Sequence, residues 1–324
     1  FAFEEGLKHE DPGGRAQCAW RLGEMGRVAA IPVLFWRLRY EVDNTVRLWM
    51  VDALSRLGTD AQVDVLIELL DDGRTAEGAA EIALRLARAA GEEVADDPSW
   101  DDVKELVGRI RDRWRETGLP AGRDPIVLDP ELEARLAGCV ADLTEYQLRL
   151  VDYARTALTG VGALPLPLLR RSLAAEEFYL RFHSIEVVRD IGHPAAALGD
   201  ALLPLLDDPP CRVVAMEALG EFGYAPAEAP LRAALTDPDP EVRVAAAGAL
   251  GPLGAAGAVE DLRRILTDEG ADLDLRVRAA FSLALLEGGG DGLLFLAERR
   301  RAEDYHAPTL DELLERVRSA VDGV

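Results

Sequence analysis

The chain has 324 residues and a formal net charge of −23, with 59 acidic against 36 basic side chains. An anionic surface repels nucleic-acid phosphates, so this charge argues against a nucleic-acid partner and favours basic proteins or cations. Apolar residues make up 49% of the chain, enough for a continuous core, but no apolar run approaches the ~18–20 residues of a membrane span.

The cysteines Cys18, Cys139 and Cys211 show no metal-binding or disulfide spacing, and two of them fall at predicted core positions. We therefore expect buried, reduced thiols and a cytoplasmic protein. The sequence begins at Phe1 without a methionine, which is compatible with a preceding segment that includes a targeting signal.

A short pattern recurs along the chain: an acidic residue, three residues, an arginine, ten residues and a glycine. Its six copies begin at Asp11, Asp43, Glu177, Asp208, Asp239 and Asp274. Adjacent copies lie 31 to 35 residues apart, which is typical of an α-solenoid.

Each copy predicts a short helix with defined ends. Asp239 precedes Pro240, so it suits an N-cap followed by proline in the first turn, as do Asp11 and Asp208 before their own prolines. Gly254 lies where the helix must stop in a left-handed C-cap. A second helical segment precedes the copy, so each unit is a helix pair that buries its apolar face by stacking on its neighbours.

The stretch VRVAAAGALGPLG, which follows DPDPE, resembles the HEAT repeat, in the short form described in phycobilisome bilin lyases. The resemblance implies an all-α fold, a right-handed α-solenoid of HEAT-like helix pairs. It also implies that the repeat acids and arginines pair between neighbouring units as a ladder. The residues that match these positions most clearly are Asp43, Arg47, Asp208, Arg212, Asp239 and Arg243.

Three segments are predicted. Residues 1–91 hold N-terminal HEAT-like repeats. Residues 92–130 form an irregular insertion, in which Ser99 caps an amphipathic helix that either packs on the array or serves as a docking element. Residues 131–324 hold C-terminal repeats and a final capping helix that begins with a capping box at Thr309. In the degenerate pair at 131–162, Gln147 and Val151 replace the acid and the arginine, so the ladder should be interrupted there.

The resemblance implies that the second helices of the pairs line a concave surface. Positions two, five and nine residues after the repeat arginine share one helical face that differs from the buried stripe, so we expect them to face outward. This face is acidic in the middle, and the next unit, with Ala245, Gly248 and Pro252, is bare. The predicted partner-binding residues are Trp20, Trp49, Asp52, Arg56, His183, Glu186, Asp190, Glu217 and Glu221.

Two alternatives remain for this face. The acids fit an ordinary solvated surface of an acidic protein, and the tryptophans fit core packing at the end of the array. His183 is spaced with Glu186 and Asp190 on one side of a helix, but a single imidazole is a poor basis for a metal site, and we assign no metal ligand.

These features favour a non-catalytic scaffold or adaptor whose acidic concave groove binds a basic or amphipathic segment of a partner protein. The alternative is a lyase-type or chaperone-like accessory protein that acts on a bound chromophore, metal or cofactor. We assign no catalytic residue and no cofactor. The only His-Glu dipeptide, at His9, is outside the position that the di-iron deoxyhypusine hydroxylase repeats use, and a HEAT-like DNA glycosylase would need a cationic face.

Overall fold

The computed structural model describes residues 2–122, 126–144, 148–302 and 306–322. Within these residues the chain forms nineteen α-helices, five short 3-10 segments and no β-strand. Contacts divide the chain into two compact units, Phe1–Ala195 and Ala196–Val324, which are described separately. Across the described ranges, every helix is too short or too polar to cross a membrane.

The first unit contains eleven α-helices in its described part and a 3-10 turn at Val28–Ala30. The helices are α1 Ala2–Gly6, α2 Pro12–Glu24, α3 Ile31–Tyr40, α4 Asn44–Arg56, α5 Val63–Leu70, α6 Ala76–Ala89, α7 Trp100–Thr117, α8 Pro130–Asp142, α9 Leu148–Gly160, α10 Leu166–Leu173 and α11 Phe178–Ile191.

In the described part of the second unit there are eight α-helices, and 3-10 turns precede several of them. The helices are α12 Gly199–Leu202, α13 Arg212–Glu221, α14 Glu228–Ala234, α15 Pro240–Leu250, α16 Val259–Thr267, α17 Leu273–Glu287, α18 Gly290–Ala302 and α19 Ala307–Asp322. Consecutive second helices α13, α15 and α17 pack side by side, as expected for stacked helix pairs.

The predicted helix ends are largely confirmed. Asp11, Asp43, Glu177 and Asp239 are N-caps whose carboxylates accept hydrogen bonds from backbone N–H groups in the first turn. The repeat glycines that follow the helices all have positive φ, from 61° at Gly26 to 121° at Gly289. Only glycine adopts this conformation without a steric penalty, which explains why it recurs at this position.

Two copies of the repeat differ from prediction. Helix α13 begins at Arg212, after Cys211 rather than Asp208. The reason is Pro210, because the α conformation is disfavoured for the residue that precedes a proline. The last copy is shifted by two residues: its N-cap is Asp272, which accepts a hydrogen bond from the Asp274 N–H at 2.9 Å.

The final helix also starts earlier than predicted. Helix α19 begins at Ala307, so Thr309 lies within its first turn and is not the N-cap. The Thr309 hydroxyl instead lies 2.9 Å from His306 Nδ1. Pro308 is tolerated there because the first turn of a helix has no intrahelical partner for its N–H groups.

Helix α7 of the insertion packs against α5 and α6. The predicted capping box is present, with the Ser99 hydroxyl accepting from the Asp102 N–H and the Asp102 carboxylate accepting from the Ser99 N–H. The predicted apolar stripe is buried; its residues are Val103, Leu106, Val107, Ile110 and Trp114. Packing on the repeats is therefore confirmed for this helix.

Beyond the insertion the chain returns to the N-terminal helices. Helix α9 packs on α3, and α8 packs near Val28–Ala30. Val151, at the position where the degenerate pair lacks an arginine, is buried, whereas Gln147 lies outside the described residues. The first unit is therefore folded back on itself rather than stacked only between sequence neighbours.

A buried polar turn joins three parts of the first unit. The Thr59 hydroxyl donates to the Gly160 carbonyl at 2.9 Å, and Asp60 Oδ2 accepts from the Ala121 N–H at 2.8 Å. Both Thr59 and Asp60 are fully buried. The turn therefore ties α4 to the insertion and to the end of α9.

Replacing Asp60 with alanine is expected to lower the free energy of unfolding by about 1–3 kcal/mol, because the buried Ala121 N–H then lacks its acceptor. Urea denaturation followed by circular dichroism measures this loss. Glu81→Ala, an exposed site on α6, is the matched control and is expected to change stability by less than about 0.5 kcal/mol. Equal stability of the two variants would contradict the role of Asp60.

Candidate functional site

The repeat arginines bind backbone carbonyls just before their own helices. Arg15 Nη1 donates to the carbonyls of His9 and Glu10 at 2.8 and 2.9 Å. Arg243 does the same with Asp237 and Pro238, at 2.8 and 3.0 Å. Each arginine therefore holds the turn between the two helices of its pair.

Two repeat arginines, Arg15 and Arg212, also reach the neighbouring unit. Arg15 makes two hydrogen bonds to the Glu41 carboxylate, at 2.7 and 2.9 Å. Arg212 contacts Asp237 at 3.3 Å and Asp239 at 3.2 Å, which confirms the expected pairing of Arg212 with Asp239. Glu41 and Asp237 each lie two residues before an N-cap, so the ladder uses an additional acid that the sequence pattern did not single out.

Arg47 pairs with Glu68 of α5 instead of with an N-cap acid. Arg243 binds carbonyls only, among the contacts that the described residues make with it. The residue two positions before the next N-cap is Gly270, which supplies no carboxylate. The ladder is therefore present in part. Arg15 and Arg212 contact acids of the next unit, whereas Arg243 contacts none among the described residues, because Gly270 supplies no carboxylate.

A chain of ion pairs crosses the second helices of the first unit. Arg56 contacts Glu24 of α2 at 2.7 Å and Asp52 of its own helix at 2.7 Å. Arg85 of α6 contacts the same Asp52 at 2.6 Å. Asp52 is only 5% exposed, so the expectation that it faces outward is wrong. The cause is Arg85, which reaches across from α6 and supplies the charge that a buried carboxylate needs.

The predicted tryptophans differ in accessibility. Trp49 is 38% exposed, so its side chain is accessible to solvent. Trp20 is half-buried and the Arg21 guanidinium lies 4.6 Å from its ring centroid. Trp36 packs between Tyr40 and Tyr153, so these three rings form part of the contact between α3 and α9.

The acids of α11 are partly neutralised. Arg155 of α9 contacts Glu186 at 3.1 Å and Asp190 at 2.8 Å, and Glu186 also lies 2.8 Å from His183. Burial acts against the charge of Arg155, but these carboxylates outweigh it and raise the pKa of the guanidinium. The sequence pattern did not single out Arg155. This arginine lies four residues after Val151, which occupies the position of the repeat arginine in the degenerate pair.

A polar cleft of about 500 Å³ opens beside Arg155 in the first unit. Phe35 lies at its apolar side, and Arg39 crosses it to contact Asp152 at 2.9 Å and the Thr156 hydroxyl at 2.9 Å. Its charged side chains therefore satisfy one another. Among the described residues, the cleft included, no group of three or more His, Cys, Asp or Glu side chains is placed to hold a metal ion.

The remaining predicted acids lie in the second unit. Glu217 is half-buried and Glu221 is exposed, both on α13. The bare stretch on α15 is covered in part: Ala245 is buried, and a methyl group added at Gly248 would lie 3.3 Å from Arg278 Cδ. The expectation of an open surface at these two positions is therefore wrong, because the Arg278 side chain extends from α17 over α15.

Neighbouring second helices approach almost to backbone contact at one repeat position. A Cβ atom added at Gly220 would lie 2.6 Å from the Ala249 carbonyl oxygen, and one at Gly251 would lie 2.5 Å from Ser282 Cα. Gly23 is placed in the same way against Ala53 in the first unit. All three glycines are the eighth residue after a repeat arginine, so this spacing is a feature of the repeat.

The fold and the repeat geometry define an α-solenoid, and the family model for HEAT repeats matches residues 2–85 and 199–285, which is more than half of the chain. The chain therefore belongs to the HEAT repeat family. No curated protein matches it significantly.

Several solved structures are similar to this chain at low sequence identity. The karyopherin Kap121p is 16% identical, with a TM-score of 0.41, and the match covers 99% of this chain and 40% of that chain. Human deoxyhypusine hydroxylase is 19% identical, with a TM-score of 0.31, and the match covers 88% of this chain and 83% of that chain. A chain of the CpcE–CpcF complex of phycocyanin lyase from Nostoc sp. PCC7120 is 18% identical, with a TM-score of 0.28, and the match covers 97% of this chain and 93% of that chain.

Gly220→Ala is expected to destabilise the protein by roughly 1–3 kcal/mol, because the added methyl group forces α13 away from α15. Gly138→Ala is the matched control, since a methyl group added to this glycine of α8 meets nothing within 4 Å. It should stabilise the protein by about 1 kcal/mol through helix propensity. Thermal unfolding of both variants tests the contact, and equal effects would argue against it.

The Arg15–Glu41 pair predicts a pH dependence of stability. Burial opposes ionisation of Glu41, but hydrogen bonds from Arg15 and from the Asp43 and Val42 N–H groups outweigh it and lower the pKa of the carboxyl. Because the pKa is lower in the folded state, the pair stabilises the protein at neutral pH and this contribution is lost as the pH falls through the pKa of Glu41.

Glu41→Gln should therefore reduce the loss of unfolding free energy between pH 7 and pH 3 relative to the wild type. Glu10→Gln, at an exposed neighbouring position, provides the control because other carboxyl groups titrate in the same range. Urea titrations at a series of pH values report the difference. Parallel pH profiles for wild type and Glu41→Gln would show that the pair contributes nothing.

Proposed function

We propose that this protein is a non-catalytic scaffold or adaptor that binds a basic or amphipathic segment of a partner protein. The HEAT-repeat scaffold supports a protein-interaction role. The observation that carries the proposal is the close approach of α13, α15 and α17, which fixes three second helices as one rigid surface. A preorganised surface binds a flexible segment without ordering itself first.

Charge supports a basic partner. In the second unit there are 24 acidic and 12 basic side chains, so that its formal charge is −12. Glu217 and Glu221 lie one turn apart on α13, within this excess of negative charge. Such a field speeds the encounter with a cationic segment and makes binding sensitive to salt.

The acids of α11 lie in the first unit and form ion pairs within it. Glu186 and Asp190 already contact Arg155, so a partner would have to replace an existing ion pair. In α4, Asp52 and Arg56 are likewise engaged with each other, which leaves Trp49 as the accessible contact of that helix. We propose Glu217 and Glu221 of α13 as the partner-binding acids of the second unit.

The test is a pull-down from a native lysate, read by mass spectrometry, with wild type beside Glu217→Gln/Glu221→Gln. Glutamine keeps the side-chain shape and removes the charge. Glu312→Gln/Glu315→Gln, at exposed positions on α19, is the matched control for lost net charge. Circular dichroism verifies that all three proteins keep their helix content.

A partner that is retained by wild type and the α19 control, and lost from the α13 variant, is the expected result. Its complex should weaken as the salt concentration rises, because exposed charges are screened. A partner held equally by all three proteins, or no partner for any of them, would overturn the proposed role of α13.

A further inference from the structure

The turn before α17 is built differently from the other turns of the second unit. From the C-cap glycine to the next N-cap acid the chain runs from Gly254 to Asp272, two residues more than from Gly223 to Asp239. Arg276 Nε donates to the Leu266 carbonyl at 3.1 Å, ten residues earlier in the chain. The repeat arginine therefore holds the end of α16 and leaves residues 268–271 unclamped.

These residues stay ordered through their own hydrogen bonds. Asp268 Oδ1 accepts from the Gly270 N–H at 2.9 Å, and the Asp268 carbonyl accepts from the Ala271 N–H at 3.1 Å. The turn so formed stands beside the ends of α14 and α16. A cleft of about 280 Å³ lies between them.

The floor of this cleft is apolar. It is formed by Leu235 at the end of α14, Ile265 of α16, Ala271 of the turn and Leu275 of α17. Leu235 and Leu275 are 7% and 6% exposed, so they are accessible only from within the cleft. A floor of this kind accepts one large aliphatic or aromatic side chain and removes it from water.

One side of the cleft is closed by a pair of charges. Arg232 makes two hydrogen bonds to Asp261 Oδ2, at 3.0 and 2.8 Å. The Arg264 guanidinium is 77% exposed and contacts Asp261 only at 3.4 Å. This side therefore carries two arginines and one aspartate, so the cations of a ligand are favoured on the opposite side.

The turn on the other side is acidic, and its Asp268 lines the cleft. Four exposed carboxylates lie within seven residues: Asp268, Glu269, Asp272 and Asp274. Among the residues that the structure describes, none of the four forms an ion pair with an arginine or a lysine. Asp268 and Asp272 accept only backbone N–H groups at their own turns. This group is therefore available to a cationic partner.

We infer that this cleft binds a short segment of a partner protein in which one large apolar side chain is flanked by lysine or arginine. The apolar side chain occupies the floor, and the flanking cations face the four carboxylates. The cleft lies on the first helices α14 and α16, so this is a second binding surface that does not depend on Glu217 and Glu221.

The probe is a library of random dodecapeptides displayed on phage and selected on the immobilised full chain. The enriched peptides are synthesised with a fluorescent label, and their dissociation constants are measured by fluorescence anisotropy. The expected consensus is a large apolar residue with at least two neighbouring lysines or arginines. Acidic or purely polar consensus sequences, or no enrichment, would refute the inference.

Two variants locate the binding site. Ala271→Trp fills the cleft, and Asp268→Lys/Glu269→Lys reverses the charge at two exposed positions. Because Asp268→Lys also removes the acceptor of the Gly270 N–H, circular dichroism and thermal unfolding verify that this variant keeps its fold. Each is expected to weaken peptide binding at least tenfold. Glu312→Lys/Glu315→Lys carries the same charge change away from the cleft and should leave affinity within about twofold, as should Glu217→Gln/Glu221→Gln.

Unchanged affinity in both cleft variants would overturn the inference. Equal weakening by the α19 control would do the same, because it would reduce the effect to net charge. Loss of binding in Glu217→Gln/Glu221→Gln with no effect of the cleft variants would move the peptide to α13 and support the proposed function instead.

Discussion

The near contact between the backbones of neighbouring second helices is the constraint on which the rest of each unit depends. Gly23, Gly220 and Gly251 allow helices to approach closer than any side chain at these positions would permit. The core between them is correspondingly narrow, which explains why alanine recurs along the buried stripe of α15. At the opposite ends of α2 and α15, Arg15 and Arg243 bind the carbonyls of the turn that precedes each helix. These second helices are thus held at the first turn by the hydrogen bonds of the arginine and at the last turn by close backbone contact with the neighbouring helix.

Much of the fold could be predicted because its determinants are local. An acid beside a proline, a glycine after a helix and the Ser99–Asp102 capping box each act within a few residues, so sequence spacing reveals them. The candidate site was harder to predict from the sequence. Asp52 is buried because Arg85 contacts it, and Arg155 compensates the charge of the acids of α11. Those partners are distant in sequence and lie in copies where the repeat pattern has decayed. The last copy was misread for another reason, since Asp272–Arg276 and Asp274–Arg278 have the same spacing.

The large negative charge of the chain is distributed in three different ways. Asp52 is compensated by two arginines, Glu186 and Asp190 share one, and the carboxylates from Asp268 to Asp274 have none among the described residues. Net charge is therefore a poor guide to where a basic partner binds. Local compensation decides it, because displacing an ion pair costs what the new pair gains. This distinction separates a solvated acidic surface from one that is available for recognition.

The return of the chain in the first unit also affects how that unit folds. In an ordinary repeat array each unit contacts only its neighbours, so folding can begin anywhere and spread. Here the hydrogen bond from Thr59 to Gly160 and the ion pair between Glu4 and Arg135 close loops of more than a hundred residues. Such contacts raise the contact order, which slows folding and makes it more cooperative than local stacking alone. These contacts predict different folding behaviour for the two units: residues 1–195 are expected to fold cooperatively, and the helix pairs of the second unit to depend less on distant contacts.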